Sequence, residues 1–309
     1  MAALGAARRR LHLAAHAPAP HPLRTGRTAG TAAERRGRSA RRLEKPNEAF
    51  SVGLLHARRR DARRGHRAAA HGHPSLLDQE QGYQDYFTTS KAQGRYIIMD
   101  NSLHELGEAY DNKRLLYWVD QLRPNEFIVP DVWENRDKSV VNARQWAQYE
   151  LPQGVEKVAV VQATTIHEAS TCYQTYKDLG YKKIAFSYGA SYYNDVVPHP
   201  NKNLGKALGR LSVISALHKT GTIDSNDRVH LLGCQVPQEF GWYRGFNFIE
   251  SIDTSNPVMA ALEGMRYSNA GLVEKPKANM NDYFFMLSDQ VNYELLSYNL
   301  LKFREINDL

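Results

Sequence analysis

The chain has 309 residues, of which 42% are hydrophobic and 24% charged, and its formal net charge is +7. No run of about 18 apolar residues occurs, so we expect no membrane-spanning helix. The two cysteines, Cys172 and Cys234, exclude a disulfide framework and a zinc site built on thiolates, and they suit a reducing compartment.

The positive charge is concentrated at the start of the chain. Residues 1–75 hold 17 Lys+Arg against 4 Asp+Glu, whereas the remainder is mildly acidic. This head is rich in Ala, Arg, Gly, Pro and His, and it has too little apolar surface to offset the entropy lost on ordering its backbone. We therefore assign residues 1–78 to a basic low-complexity extension and expect it to be disordered. An organelle transit peptide and a polycationic arm for nucleic acid are the alternatives.

The sequence pattern changes near residue 80, from where short apolar runs alternate with helical patterns. The runs are continuous, which is typical of strands covered on both faces. One further candidate strand, AFSVGLLHA (49–57), lies within the basic head. The strands predicted in the body are RYIIMD (95–100), EFIVPD (126–131), KVAVVQ (157–162), KIAFSYG (183–189), VHLLG (229–233) and FIESID (248–253).

Helical patterns separate these strands. They cover residues 112–123, 138–150, 165–180, 204–221 and roughly 281–306. The spacing from Asp100 to Asp131 equals that from Asp131 to Gln162, as in a regular βα repeat. We therefore predict that residues 79–309 form a (β/α)8 TIM-type barrel. A doubly wound sheet is the second choice, since no GxGxxG follows any strand.

Polar residues or glycines stand where the predicted strands end. In a barrel these ends share one face, which holds the active site. One Asp alone also suits a helix cap, and Asp253 could cap a helix that begins at Pro257. Gln162 is a poor cap, however, so the shared pattern favours a site. The six strand-end residues are Asp100, Asp131, Gln162, Gly189, Gly233 and Asp253.

The residue types at these strand ends indicate a class of chemistry. Two separated carboxylates suit displacement at an acetal-like carbon, where one attacks and the other moves protons. A third carboxylate beside a carboxamide suits the donor and acceptor edge of a nucleobase. The residues alone do not identify the substrate.

Six short motifs follow one another along the chain: IIMDNSLHELGEA, IVPDVWENRDKSV, VVQ, SYG, HLLGC and SIDTSNPV. In this order they resemble the tRNA-guanine transglycosylase superfamily. The resemblance is closest to its phage-type branch, the DNA 7-deazaguanine transglycosylases (DpdA-like proteins), and it covers roughly residues 85–275. It implies a (β/α)8 barrel that exchanges guanine for a 7-deazaguanine in DNA through an aspartyl-glycosyl intermediate.

The resemblance also implies a role for each strand-end side chain. Asp253 would attack C1′ of the sugar, and Asp100 would be the general acid/base that takes the proton from N9 of the incoming base. Asp131 and Gln162 would read the edge of the base. The backbone near Gly189 would assist them. Ser187 and Tyr188, which precede it, complete the candidate base-binding residues; Tyr188 could stack on the base, and ordinary packing is the alternative.

The resemblance bears on cofactor and substrate as well. The tRNA-modifying members carry a CxCxxC…His zinc site after the nucleophile strand, whereas no cysteine follows Asp253 here. We therefore expect no zinc site or other cofactor, and we expect DNA rather than tRNA as the nucleic acid. The resemblance also implies that the protein is located in the cytoplasm of a bacterial host or phage-infected cell. Queuine- or archaeosine-type exchange on tRNA remains an alternative, and so does a non-catalytic barrel that acts as a partner subunit.

Four cationic residues are candidates for phosphate contacts. Three of them recur at every fourth position, a spacing that would place them in one stripe of a helix. A solvated helix face is the alternative interpretation. The candidates are Lys202, Lys206, Arg210 and Arg244.

Overall fold

One sheet organises the described part of the molecule. A computed structural model describes residues 57–58, 70–277 and 290–309. Strands β2 to β8 pair in chain order and run parallel, and β1 adds to β8 in the antiparallel direction. The strands are β1 (Ala57–Arg58), β2 (Ala70–Gly72), β3 (Ile97–Met99), β4 (Glu126–Ile128), β5 (Glu156–Val161), β6 (Lys183–Ser187), β7 (Val229–Leu232) and β8 (Ile249–Ile252).

The prediction of a closed (β/α)8 barrel is wrong. The seven parallel strands curl into a half-barrel, an α/β fold. Closure needs an eighth parallel strand that joins the first strand to the last, but the strand beside β8 has two residues and the opposite direction. The candidate strand at 49–57 lies, apart from Ala57, outside the described residues. The doubly wound alternative fails too, because the strand order never reverses.

The described fold begins before residue 79. Strand β2 pairs with β3, and the helix that follows it, Pro74–Gln79, buries Leu76 and Leu77. Residues 70–78, which composition assigns to the basic extension, are therefore part of the α/β fold. Residues 1–56 and 59–69 of that extension lie outside the described part of the chain.

Helices connect the strands. Four predicted helices match within two residues at each end, whereas 281–289 of the last prediction is not described. No helix within the described ranges is long and apolar enough to cross a membrane. The helices are α1 (Pro74–Gln79), α2 (Gln81–Ala92), α3 (Leu103–Leu106), α4 (Asn112–Leu122), α5 (Arg136–Gln148), α6 (Ile166–Asp178), α7 (Tyr192–Val196), α8 (Lys202–Lys219), a 3-10 helix (Pro237–Tyr243), α9 (Asn256–Leu262) and α10 (Tyr293–Asn307).

The two faces of the sheet have different surroundings. Successive side chains of a strand point to opposite faces, so Ile97 and Met99 join the large core shared with the helices, while Ile98 does not. Ile98 belongs to a smaller apolar cluster on the concave face. This cluster also contains Ile128, Val158, Val160 and Ala185.

A buried ion network lies below this apolar layer, toward the amino ends of the strands. Lys183 Nζ lies 2.6 Å from Glu126 Oε1 and 3.7 Å from Glu250 Oε2. Arg228 bridges Glu250 to Glu156. Burial is the largest effect and opposes ionisation of Glu126, but the Lys183 ammonium and the other nearby charges and donors together outweigh it and hold the pKa of Glu126 below its usual value. Charges fill this end of the concave face, and a cavity lies at the other.

Candidate functional site

A cavity opens at the carboxyl ends of the parallel strands. Its wall includes side chains from strands β2 to β7 or from the loops that follow them, and the segment after β8 completes it. Gly189, predicted to bind the base, is not part of the wall, and its carbonyl accepts a hydrogen bond from Lys206 Nζ at 2.6 Å. The predicted residues that line the cavity are Asp100, Asp131, Gln162, Ser187, Tyr188 and Asp253.

Asp253 points into the cavity. Its Oδ1 lies 2.9 Å from His230 Nε2 and 3.4 Å from the backbone nitrogen of Gly233. The Ser251 hydroxyl lies 2.8 Å from His230 Nδ1, so donation to that nitrogen leaves the proton on Nε2, facing Asp253. The backbone N–H of Asn256 donates to Thr254 Oγ1 at 3.0 Å, so Thr254 rather than Asp253 caps it. The helix-cap interpretation of Asp253 therefore fails.

The surroundings of Asp253 favour its ionised form. The carboxylate is buried, which by itself raises its pKa, yet nearby His71, His230 and the Gly233 amide together outweigh burial and lower the pKa. Within the described residues, its side-chain hydrogen bonds all go to Oδ1. An anion with one oxygen anchored and the other directed elsewhere suits nucleophilic attack.

Asp131 and Gln162 form one hydrogen-bonded unit. Gln162 Nε2 donates to Asp131 Oδ2 at 2.6 Å, and Asn101 Nδ2 donates to Asp131 Oδ1 at 2.7 Å. The backbone N–H of Glu134 donates to Gln162 Oε1 at 2.9 Å, which fixes the carboxamide. Burial raises the pKa of Asp131 to about 6, although both side-chain donors oppose the shift. This unit is a rigid polar edge with an acceptor that titrates near neutrality.

Two histidines that sequence reasoning missed stand beside Asp100. His71 Nε2 lies 4.0 Å and His73 Nδ1 lies 3.9 Å from Asp100 Oδ2. Burial lowers the pKa of His71, against the attraction of Asp253 and Asp100. Their sequence signal was the His-x-His spacing after three alanines, which the basic composition around it obscured.

Aromatic and cationic side chains form the outer wall of the cavity. Tyr188 Oη lies 2.9 Å from His104 Nε2, and Lys275 Nζ lies 4.0 Å from the centre of the Tyr188 ring. Burial lowers the pKa of Lys275 to about 8. Trp133 also lines the cavity and is 40% exposed. Flat rings at an open rim can stack on a base.

The four candidate phosphate contacts do not line this cavity. Arg210 is buried, and its guanidinium is bound to Glu239 and to the carbonyls of Leu232 and Gly233. It anchors strand ends, so the predicted solvent stripe does not extend to it. Lys202 is exposed, and Arg244 pairs with Asp308.

No family model matches the sequence, and no curated protein matches it. The likeness to guanine transglycosylases therefore rests on the motifs and on the side chains at the cavity, and the function inferred from them is a proposal.

Proposed function

We propose that the protein is a base-exchange transglycosylase that replaces guanine with a 7-deazaguanine in DNA. The observation that carries the proposal is the convergence of Asp253, Asp100 and the Asp131–Gln162 unit on one cavity. Asp253 and Asp100 would supply a nucleophile and a proton carrier. The Asp131–Gln162 unit would supply the groups that recognise a purine edge.

The first half of the reaction uses Asp253. Its free oxygen attacks C1′ of the sugar, and the electron pair of the C1′–N9 bond passes to guanine, which takes a proton from Asp100. His230 and the Gly233 amide hold the other oxygen of Asp253, so the attacking oxygen is oriented before the substrate arrives. The product is a glycosyl ester on Asp253.

The second half reverses these roles. The Asp100 carboxylate takes the proton from N9 of the incoming 7-deazaguanine as that nitrogen attacks C1′. The ester bond breaks, and its electron pair returns to Asp253. One base has replaced another, the sugar–phosphate chain is intact, and both carboxyl groups are restored.

The Asp131–Gln162 unit suits recognition of the base. An ionised carboxylate can accept from the ring N–H and exocyclic amine of a guanine-type edge, and a carboxamide can both donate and accept. Asn101 and the Glu134 amide already fix this unit, so little side-chain entropy is lost on binding. The target base must leave the helical stack to reach it, and Tyr188 and Trp133 offer stacking surfaces at the rim.

The experiment that tests the proposal measures incorporation of labelled guanine into duplex DNA and, separately, into tRNA. We expect label in DNA, because the sequence lacks the cysteines of the zinc site found in tRNA-modifying members. Label in tRNA alone would favour queuine- or archaeosine-type exchange. Label in neither nucleic acid would contradict the proposal and favour a non-catalytic partner subunit.

Base exchange should weaken at acidic pH because of Asp131. Its pKa of about 6 means that the side chain is ionised at pH 7.5 and mostly protonated at pH 5. Protonation removes an acceptor from the base edge, so kcat/KM for the incoming base should fall as the pH drops through 6. The check is a pH profile of kcat/KM from 5 to 8.

The matched variant for this profile is Asp131→Asn. Its kcat/KM should be reduced at pH 7.5, and the step near pH 6 should disappear because the titrating group is gone. A step that persists unchanged in Asp131→Asn would show that a different group is responsible.

A further inference from the structure

Strand pairing brings three metal-ligand side chains together beside the candidate catalytic carboxylates. His71 and His73 are two residues apart at the end of β2, so both side chains point to the same face. Gly72 pairs with Met99 of the neighbouring strand, which places Asp100 next to His73. One atom from each of the three side chains lies within 4.8 Å of the other two.

The ring of His71 is buried, and no hydrogen bond within the described residues accounts for its burial. The residue is 3% exposed, and neither ring nitrogen has a hydrogen-bond partner among the described residues. A buried polar atom without a partner is costly, and an ion that completes the site is one of its ordinary explanations. The Nε2 atom faces Asp100 Oδ2 at 4.0 Å. The ring is therefore directed at the middle of the cluster.

Although the sequence predicts no zinc site, we propose that His71, His73 and Asp100 bind one divalent transition-metal cation such as zinc. Two imidazoles and one carboxylate form a donor set that zinc uses where an open coordination position is kept for water or substrate. With bonds of about 2.1 Å, a tetrahedral zinc needs ligand atoms about 3.4 Å apart. The two histidine-to-Asp100 distances must therefore shorten by roughly half an ångström on binding.

Neighbouring contacts already orient the Asp100 carboxylate. The Asp100 amide donates to the Gly72 carbonyl at 2.9 Å, and Asp100 Oδ1 accepts from the Asn101 amide at 2.6 Å. This leaves Oδ2 toward the histidines. All three ligand residues line the cavity, so an open coordination position would face the ligand that binds there. Water or a small ligand with a metal-binding oxygen or nitrogen could fill that position.

Metal binding at this site is not a step of the proposed base exchange, and a separate experiment tests it. A cation and a proton compete for Asp100 Oδ2, so added zinc should inhibit base exchange rather than support it. Metal binding is measured by titration of the metal-free protein, which needs no nucleic acid. Failure of one proposal therefore leaves the other standing.

The experiment titrates the metal-free full chain with Zn²⁺ by calorimetry and with Co²⁺ by visible absorption. We expect one equivalent to bind and the Co²⁺ spectrum to show bands of low coordination number. His71→Ala and the nearly isosteric Asp100→Asn should each weaken binding at least about 100-fold. His167→Ala, which removes an exposed histidine on α6, is the matched control and should bind as the native protein does.

The thermal midpoint of each metal-free variant separates loss of a ligand from loss of the fold. A folded Asp100→Asn protein that binds Zn²⁺ as tightly as the native chain would overturn the site. Failure of the native chain to bind either ion would do so too.

Discussion

Replacing Asp253 with alanine or asparagine should abolish the incorporation of labelled guanine. Removal of a covalent nucleophile lowers turnover by at least about a thousandfold, since neither side chain can form the glycosyl ester. Asparagine is the sharper change. Its carboxamide oxygen can still accept from His230 and the Gly233 amide, the two groups that hold Asp253 Oδ1. Loss of activity would then report the missing anion rather than a disturbed cavity.

Asp178→Asn is the control for this experiment. Asp178 is an exposed carboxylate at the end of α6, where it accepts from Gln174. Its replacement should leave exchange unchanged. Native-like incorporation by either Asp253 variant would contradict the assigned role of this residue, whatever the DNA or tRNA substrate.

Replacing Lys183 with methionine should strongly destabilise the fold. Methionine has a similar length but no charge, so Glu126 would be left buried without the ammonium that lies 2.6 Å away. Breaking one side of a buried ion pair costs about 3–5 kcal/mol of unfolding free energy. The measurement is chemical denaturation at pH 7 with the slope of the transition compared between variants.

Two companion variants give this result its meaning. Lys182→Met changes an exposed neighbour and should shift the free energy of unfolding by less than about 0.5 kcal/mol. The double variant Lys183→Met/Glu126→Gln removes both charges and should recover much of the loss. A loss below about 1 kcal/mol in the single Lys183 variant would show that the network contributes little.

The same network predicts a pH dependence of stability. The folded state holds the pKa of Glu126 below its usual 4.5. Its ionisation therefore stabilises the fold at neutral pH, and this contribution disappears as the pH falls through the folded-state pKa. The Lys183 variants should lose part of this dependence.

The polar residues at the carboxyl end of the sheet could be predicted from the sequence because each one is part of a local pattern. A continuous apolar run predicts a buried strand, and parallel strands present their carboxyl ends together. Asp100, Asp131, Gln162 and Asp253 each follow such a run, and all four line the cavity. This prediction did not require knowing which strands lie at the edges of the sheet.

The open, half-barrel form of the sheet was not predictable by the same rules. Whether a row of parallel strands closes depends on strand number, tilt and an additional strand between the first and the last. The three-residue strand β2 sits in a segment whose composition resembles a disordered tail. Missing β2 also meant missing His71 and His73.

Buried polar side chains were hidden for a different reason. His230 interrupts an apolar run, and only its neighbours Ser251 and Asp253 reveal its position behind the candidate nucleophile. Arg210 continues the four-residue spacing of Lys202 and Lys206, yet this position of the helix faces the core, where the guanidinium binds Glu239. Spacing defines a stripe on a helix but not the side on which the core lies.

The most direct test of the account is the identity of the residue that becomes attached to the sugar. The protein is incubated with duplex DNA, quenched by denaturation, digested and mapped by mass spectrometry. We predict a glycosyl adduct on the peptide that contains Asp253, present in the native protein and absent from Asp253→Asn. An adduct on another residue, or exchange of labelled guanine with no adduct on Asp253, would contradict the account.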